Sequence, residues 1–513
     1  MSAAQGFGPV LIANRGEIAI RIARTCRRLG FPTVAIYSDA DRFAEHLNHC
    51  DQAFFVGSAA PKESYLNIER ILAVARRAGA KFVHPGYGFL SERPEFASAC
   101  EKAGLVFVGP TAKSMEQMGD KIRARETVDG LRISRVPGSA GVVKSASEAK
   151  RIAATIGYPV LLKAAAGGGG KGMRRVDRET EIDSAFEGAT REAQGAFGNG
   201  SLYVEKLILE PHHVEIQVFG DGRGNAIHLG ERECSVQRRH QKVLEETPSP
   251  ILDRFSKTRE AMFEAATRIA KHVKYAGAGT MEFIVDGSGN FYFLEMNTRL
   301  QVEHPVTEWV TGVDLVAWQL FLAASKFELP ASPERRGHAV EARLYAEDPI
   351  RFLPAPGPLG SIDLPQGAFV RTDSAFTGPG EVSVYYDPMI AKISVWAPTR
   401  EEAIERMRVA LDEARVAPPK KLDGTPIGSL RTNLPFLRRL IKNADVKSGN
   451  TTTDLIARNP ALTTPATAAA LPLEAALGVS IFELIHARSD EPASSAVPRA
   501  LWMDTARREG LRS

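Results

Sequence analysis

Four consecutive glycines, Gly167, Gly168, Gly169 and Gly170, lie between Lys163 and Lys171. Backbone N–H groups can approach an oxyanion closely where no Cβ intervenes. Successive N–H groups can also form anion-binding nests, and a flanking lysine adds a compact positive charge. No Gly-Lys-Ser/Thr follows, so the run is not a Walker loop. A flexible linker has the same composition. However, the apolar run Pro159–Leu162 that delivers Lys163 fits a phosphate-covering loop better.

A second group of residues could hold a metal. Glu282 lies in one strand-like segment, and Glu295 and Asn297 lie in the next, with Gly-Ser-Gly at 287–289 as the turn. A hairpin centred near Ser288 sets Glu282 opposite Leu294, with Glu295 next to it across the pair. Two carboxylates and an amide oxygen are hard ligands suited to Mg²⁺. A solvent-facing hairpin would carry the same residues, but Met281, Phe283, Phe291 and Phe293 are apolar enough to bury one face.

The stretch after the hairpin is dense in functional groups. Arg299 can hold a small anion bidentately, and Glu303 can act as a general base. A salt-bridged loop is the alternative. Arg238, Arg239, His240 and Lys242 form a basic cluster with no interleaved aromatics, which favours a small polyanion over nucleic acid. His84–Ser91 reads as a Gly-bracketed aromatic loop at a strand's C-terminal end, where open α/β sheets bind ligands.

These groups need a scaffold. Short apolar strands alternate with amphipathic helices over the first hundred residues. One such helix has Ile18, Ile22, Cys26 and Leu29 at helical spacing, and the pattern is that of a doubly wound α/β unit. Ile12–Gly16 sits where a dinucleotide fingerprint would sit but lacks GxGxxG. Residues from about 136 to 204 form a small unit, with Ser145 and Glu148 as a capping box and Gly157 as its stop. Strands dominate from Tyr203. Another strand-rich region follows 335, and Thr399 and Glu402 cap a helix near 400–415. Residues 418–426 read as a polar loop, 457–472 as a linker, and 473–487 as a final helix.

At 513 residues the chain predicts several domains or subdomains. Lysine and arginine number 65 against 61 aspartate and glutamate, too slight an excess to argue for nucleic acid. Four scattered cysteines with no CxxC pair argue against a disulfide framework and a zinc site and suit a reducing, cytoplasmic setting. No apolar run reaches the roughly 20 residues needed to span a bilayer, and no signal peptide is legible.

The quoted segments, in order, resemble biotin carboxylase, the ATP-grasp component of biotin-dependent carboxylases. The resemblance rests on Ile12–Ala19, His84–Glu92, Gly119–Lys121, Lys163 with its glycine loop, Glu231–Lys242, Glu295–Glu308 and Tyr386–Lys392, and spans roughly residues 8–457. It implies an α/β architecture: an N-terminal doubly wound domain (1–120), an ATP-grasp domain (121–335) with a mobile lid (about 136–204), and a biotin carboxylase C-terminal domain (336–457). The tail (458–513) has no counterpart.

The resemblance also implies roles. Lys121, Lys163 and His213 match nucleotide-phosphate contacts, and Gly167–Gly170 the lid loop. Glu205 and Lys206 match the adenine-side hinge. Gln237 and His240 are counted with the ligand-binding residues. Glu282, Glu295 and Asn297 match the Mg²⁺ or Mn²⁺ site. Lys242, Arg299, Gln301 and the Val302 backbone match the bicarbonate site, and Glu303 the base that deprotonates bicarbonate. Arg343 matches the residue that steadies the biotin enolate, and Tyr87 lies near biotin. The implied reaction consumes ATP and bicarbonate and carboxylates biotin through carboxyphosphate.

No Ala-Met-Lys-Met biotinylation signature occurs in the sequence. The biotin carboxyl carrier protein and the carboxyltransferase are therefore expected on separate polypeptides, with the carboxyltransferase setting the final acceptor. A homodimer is expected, with no nucleic-acid or membrane partner. Residues 417–427 look inserted, and Thr451–Asp454 replace a stretch that can contribute to the adenine pocket. A non-catalytic subunit and a bicarbonate-independent ATP-grasp ligase are the alternatives. The set Lys163, Glu282, Glu295, Arg299, Glu303 and Arg343 argues against the first. Glu303 with Arg299 and Gln301 argues against the second.

Overall fold

The structure, a computed structural model, describes residues 7–165, 173–239 and 241–464, with only the backbone for 121 and 122. Gly167, Gly168, Gly169, Gly170 and His240 lie outside the described residues, as do the segment expected as a final helix and the Lys121 side chain.

The N-terminal unit is a five-stranded parallel sheet. Its strands are β1 (Val10–Ile12), β2 (Thr33–Ser38), β3 (Gln52–Gly57), β4 (Phe82–His84) and β5 (Val106–Phe107), in the order β3-β2-β1-β4-β5. All three residues of β1 are fully buried, as a central strand covered by helices on both faces requires. The first helix, Gly16–Leu29, ends where Gly30 adopts the left-handed conformation.

A smaller unit follows, made of β6 (Val160–Ala164), β7 (Met173–Val176) and β8 (Leu202–Lys206) in the antiparallel order β7-β6-β8. Helices Ala146–Ile156 and Ile182–Phe197 pack on it through Ala149, Ala153, Ala189 and Ala193 against Val160, Leu162 and Val204, forming a core of their own. Ser145 caps the first of these helices by accepting the Glu148 N–H.

The rest is built on one large sheet. Its first strands are β9 (His212–Asp221), β10 (Ala226–Arg238), β11 (Gln241–Thr247), β12 (Ala276–Val285) and β13 (Phe291–Asn297). Further along the chain come β14 (His338–Tyr345), β15 (Gly357–Leu359), β16 (Ser361–Asp363), β17 (Val370–Ser374), β18 (Gly380–Val382) and β19 (Met389–Ala397), of which β15, β16 and β18 lie outside the large sheet. Eight of these form an antiparallel sheet in the order β13-β12-β9-β10-β11-β14-β19-β17. The sheet runs unbroken across the boundary expected at 335/336.

Side chains alternate across this sheet. Val214, Ile216 and Val218 face the helix Ser256–His272 and pack with Met262, Phe263 and Ile269. Val340, Ala342, Ile393 and Val395 pack with Ala403 and Met407 of the helix Arg400–Glu413. The opposite face carries the charged residues. It is covered by the loop after β13 and the helix His304–Thr311, so the charges are buried and must be paired.

Candidate active site

The sheet register aligns one row of charge. Glu295 pairs with Glu282, Glu282 with Glu215, and Glu215 with Arg232. The sequence-based register placed Leu294 opposite Glu282, and the structure corrects it. A bulge between Glu282 and Phe283 pairs Phe283 with Phe293 and Glu282 with Glu295. A bulge sets two residues against one and re-aims the side chains beyond it. Here it sets Glu282 and Glu295 directly opposite each other in the register.

Lys242 lies at the centre. Its ammonium is 2.6 Å from Glu215, 3.0 Å from Glu282 and 2.8 Å from Glu303. Burial disfavours this charge, but the three carboxylates outweigh it and hold the lysine well above its usual range. His213 lies 2.9 Å from the other Glu282 oxygen, and its Nδ1 is 2.6 Å from the Gln237 amide. Burial alone would lower His213, yet Glu282 shifts it upward. Burial raises Glu282 and Glu303 in turn, and Lys242 with the other cations reverses that, holding both carboxyls below their usual range.

Glu303 is fully buried at the N-terminus of the helix His304–Thr311. One of its oxygens accepts from Lys242, and the other accepts from Arg343 at 2.9 Å. Arg343, on β14, also sits 2.5 Å from Glu245 on β11. Burial beside Glu303 raises Glu245 to about 7, against the pull of Arg343.

The loop between β13 and that helix is held on several sides. Arg299 donates to Glu92 at 2.8 Å, to Gln301 at 3.0 Å and to Asn297 at 3.1 Å. Leu300 anchors the loop in the core, and the His304 ring lies 2.9 Å from the Gln301 carbonyl. Among the described residues the buried Gln301 Nε2 has no hydrogen-bond partner, and a buried donor needs one. Asn297 donates to Glu282 at 2.8 Å. The Tyr87 loop is fixed from the turn after β1: the Asn14 amide donates to the carbonyls of Pro85 and Tyr87, both at 2.7 Å.

In the smaller unit, Lys163 is 2.5 Å from Glu205, and Arg125 pairs with the other Glu205 oxygen. Lys206 is one residue on and points away, donating to the carbonyls of Gly157 and Tyr158. The structure therefore brings Glu205, but not the Lys206 ammonium, to Lys163.

Several buried participants were not anticipated. Glu215 and Arg232 lie in the charged row, and Arg232 also donates to Gln217, Thr307 and Thr280. Glu245 holds Arg343, and Lys392 donates to the Val302 carbonyl at 2.5 Å. Strict polar–apolar alternation in His213–Val218 was the available signal for Glu215.

The chain is similar to known proteins over most of its length. The chain matches the biotin carboxylase N-terminal domain over residues 7–115 and the ATP-binding domain of the carbamoyl-phosphate synthase L chain over 120–330. It matches the biotin carboxylase C-terminal domain over 341–458. It is 46% identical to a biotin carboxylase of Halalkalibacterium halodurans, covering 88% of this chain and 97% of that one. It is 49% identical to the propionyl-CoA carboxylase alpha chain of Ruegeria pomeroyi, covering 88% of this chain and 68% of that one.

Among solved structures, one is the biotin carboxylase domain dimer of Hydrogenobacter thermophilus 2-oxoglutarate carboxylase, in complex with MgADP, ADP and bicarbonate. It superposes with a TM-score of 0.82 at 45% identity, covering 90% of this chain and all of that one. The biotin carboxylase of Campylobacter jejuni gives the same TM-score at 44% identity, covering 88% and 99%. With an ATP-grasp fold and this agreement over most of its length, the chain belongs to the biotin carboxylase family.

Proposed function

We propose that the chain is the biotin carboxylase component of a biotin-dependent carboxylase, using ATP and bicarbonate to carboxylate biotin carried on a separate polypeptide. The observation that carries this reading is the buried Glu303 carboxylate, clamped between Lys242 and Arg343 beside the Glu282–Glu295 pair.

Bicarbonate binds against Arg299, Lys242, the open Gln301 Nε2 and the Val302 N–H. Lys242 keeps Glu303 ionised but weakly basic. An anion that draws the ammonium toward itself raises the basicity of Glu303. Glu303 then takes the bicarbonate proton, and the freed oxygen attacks the γ-phosphorus as ADP leaves. The carboxyphosphate formed breaks down to CO₂ and phosphate. Phosphate accepts the N1′ proton of biotin, and Arg343 offsets the charge on the ureido oxygen while N1′ attacks CO₂. Tyr87 lines the biotin side.

The residues present suit a divalent cation. Glu282 and Glu295 face each other across one register position, and the surrounding His213 and Lys242 show how much negative charge the site offers. Glu282, Glu295 and the Asn297 oxygen would hold Mg²⁺ or Mn²⁺, which would neutralise charge on the ATP phosphates. Lys163, His213, Gln237, Glu205 and Lys206 are the nucleotide-side groups, joined by Lys121, His240 and Gly167–Gly170.

The reading implies a biotin carboxyl carrier protein, a carboxyltransferase that sets the acceptor, a homodimer and a cytoplasmic setting. The domain limits 1–120, 121–335 and 336–457 are retained as functional divisions. Among the described residues no helix is long and apolar enough to cross a membrane. The reading is tested by ATP hydrolysis with and without bicarbonate and free biotin. Stimulation by both supports it, and a rate indifferent to bicarbonate refutes it.

A further inference from the structure

The segment Tyr386–Lys392 has no part in the function proposed above. Its first residue is tied to the N-terminal unit: the Tyr386 hydroxyl lies 2.6 Å from the Ala59 carbonyl and 2.5 Å from Ser38, with the Arg15 guanidinium 4.5 Å above its ring. Its last residue, Lys392, is on β19 and only 1% exposed. The Lys392 ammonium donates to the Val302 carbonyl, lies 3.8 Å from Glu17 of the first helix, and sits 5.8 Å from the Tyr87 ring centre. Burying an ammonium costs several kcal/mol unless close partners repay it.

The partner is informative. The Val302 carbonyl belongs to the planar peptide joining Val302 to Glu303, so fixing its oxygen fixes the plane from which the Glu303 side chain departs. The preceding peptide, between Gln301 and Val302, carries the Val302 N–H. Its carbonyl is in turn held by the His304 ring. Both peptides that aim the Val302 N–H and the Glu303 carboxylate are therefore gripped at their carbonyls.

We propose that Lys392 is a positioning residue for bicarbonate use: by holding the Val302–Glu303 peptide, it keeps the Val302 N–H and the Glu303 carboxylate trained on one anion. This rests on the function proposed above. The competing role is charge balance for Glu17 and Glu341, two buried carboxylates near Lys392 whose oxygens have no hydrogen-bond partner among the described residues.

The test is steady-state kinetics of Lys392→Met in the full chain, with KM for bicarbonate and KM for ATP measured separately. A misplaced anion site predicts a rise in bicarbonate KM of about tenfold or more with ATP KM unchanged. An unchanged bicarbonate KM in the folded variant overturns the proposal. If Lys392→Met does not fold, Lys392→Met with Glu17→Gln and Glu341→Gln removes the unbalanced carboxylates as well. Recovered folding with a still elevated bicarbonate KM supports positioning, whereas recovery of both overturns it.

A crystal structure of the wild type with bicarbonate decides the matter without either variant. Lys392 Nζ within hydrogen-bond distance of the Val302 carbonyl supports the proposal, and a lysine withdrawn from it overturns the proposal. If the wild type shows no bicarbonate-stimulated ATP hydrolysis, the functional reading itself fails, a result distinct from any of these.

Discussion

Lys242 and Glu303 are joined at 2.8 Å in a pocket from which both are largely shielded from water, and the same ammonium reaches Glu215 and Glu282. One cation thus joins the side that would hold metal and phosphates to the side that would hold bicarbonate. The charge state of Glu303 depends on where that cation goes.

Replacing Glu303 with Gln removes the proton acceptor while keeping the side-chain shape. Bicarbonate-stimulated ATP hydrolysis should fall by about 10²–10⁴-fold, the usual contribution of a general base. Nucleotide affinity, measured by calorimetry, should stay near the wild-type value. Retained stimulation would remove Glu303 from the role of base.

Arg343 neutralises Glu245 and Glu303 together. Arg343→Met leaves two buried carboxylates without that partner, and breaking a buried pair from one side costs about 3–5 kcal/mol. Urea unfolding should register that loss, and Glu245→Gln in the same chain should recover part of it. An Arg343→Met variant as stable as the wild type would contradict the buried pairing.

Glu295 is assigned to the cation through its register with Glu282. Glu295→Gln should raise the Mg²⁺ concentration needed for half-maximal nucleotide binding by about tenfold or more, on the scale by which altered metal surroundings weaken a site. A titration of fluorescent nucleotide binding against Mg²⁺ reads this directly. An unchanged midpoint would move the cation elsewhere.

The N-terminal unit should be acid-sensitive. His46 is buried against the Ile36 carbonyl, and burial lowers its pKa from 6.5 to about 4. Burial, with Arg21 nearby, lowers His84 to about 3, and its Nδ1 accepts the Gly86 N–H. On acidification the unfolded chain takes up these protons first. The stability from neutral burial is therefore whole above about pH 6.5 and is lost as pH falls toward 4 and 3. Each histidine contributes up to about 1.4 kcal/mol per pH unit within its window. Melting temperatures from pH 7.5 to 4.5 should fall, and His46→Gln should flatten the slope. A pH-independent melting temperature would contradict the neutral buried assignment.

Much of this was legible in the sequence because it depends on local periodicity. The parallel N-terminal sheet, the capped helices at Ser145 and Thr399, and the β12–β13 hairpin all follow from spacing and turn residues. The pairing within the hairpin did not follow, because a bulge inserts a residue with no composition signal of its own, and that single residue sets Glu295 opposite Glu282. Glu205 and Lys206 are neighbours on β8, and their side chains part: Glu205 meets Lys163, whereas Lys206 reaches the carbonyls of Gly157 and Tyr158. Glu245, Glu341 and Lys392 gather on one face only through the β11-β14-β19 register, in which Glu245 pairs with Glu341 and Arg343 with Lys392. Their partners are distant in sequence, so no window of residues shows them.

The most direct measurement follows label from bicarbonate. Purified protein, Mg·ATP, free biotin and ¹⁴C-bicarbonate should yield acid-labile ¹⁴C-carboxybiotin together with ADP, and neither should form when Glu303 is Gln. ADP formed at the same rate without bicarbonate, or formed with no label reaching biotin, would contradict the assignment of this pocket to bicarbonate activation.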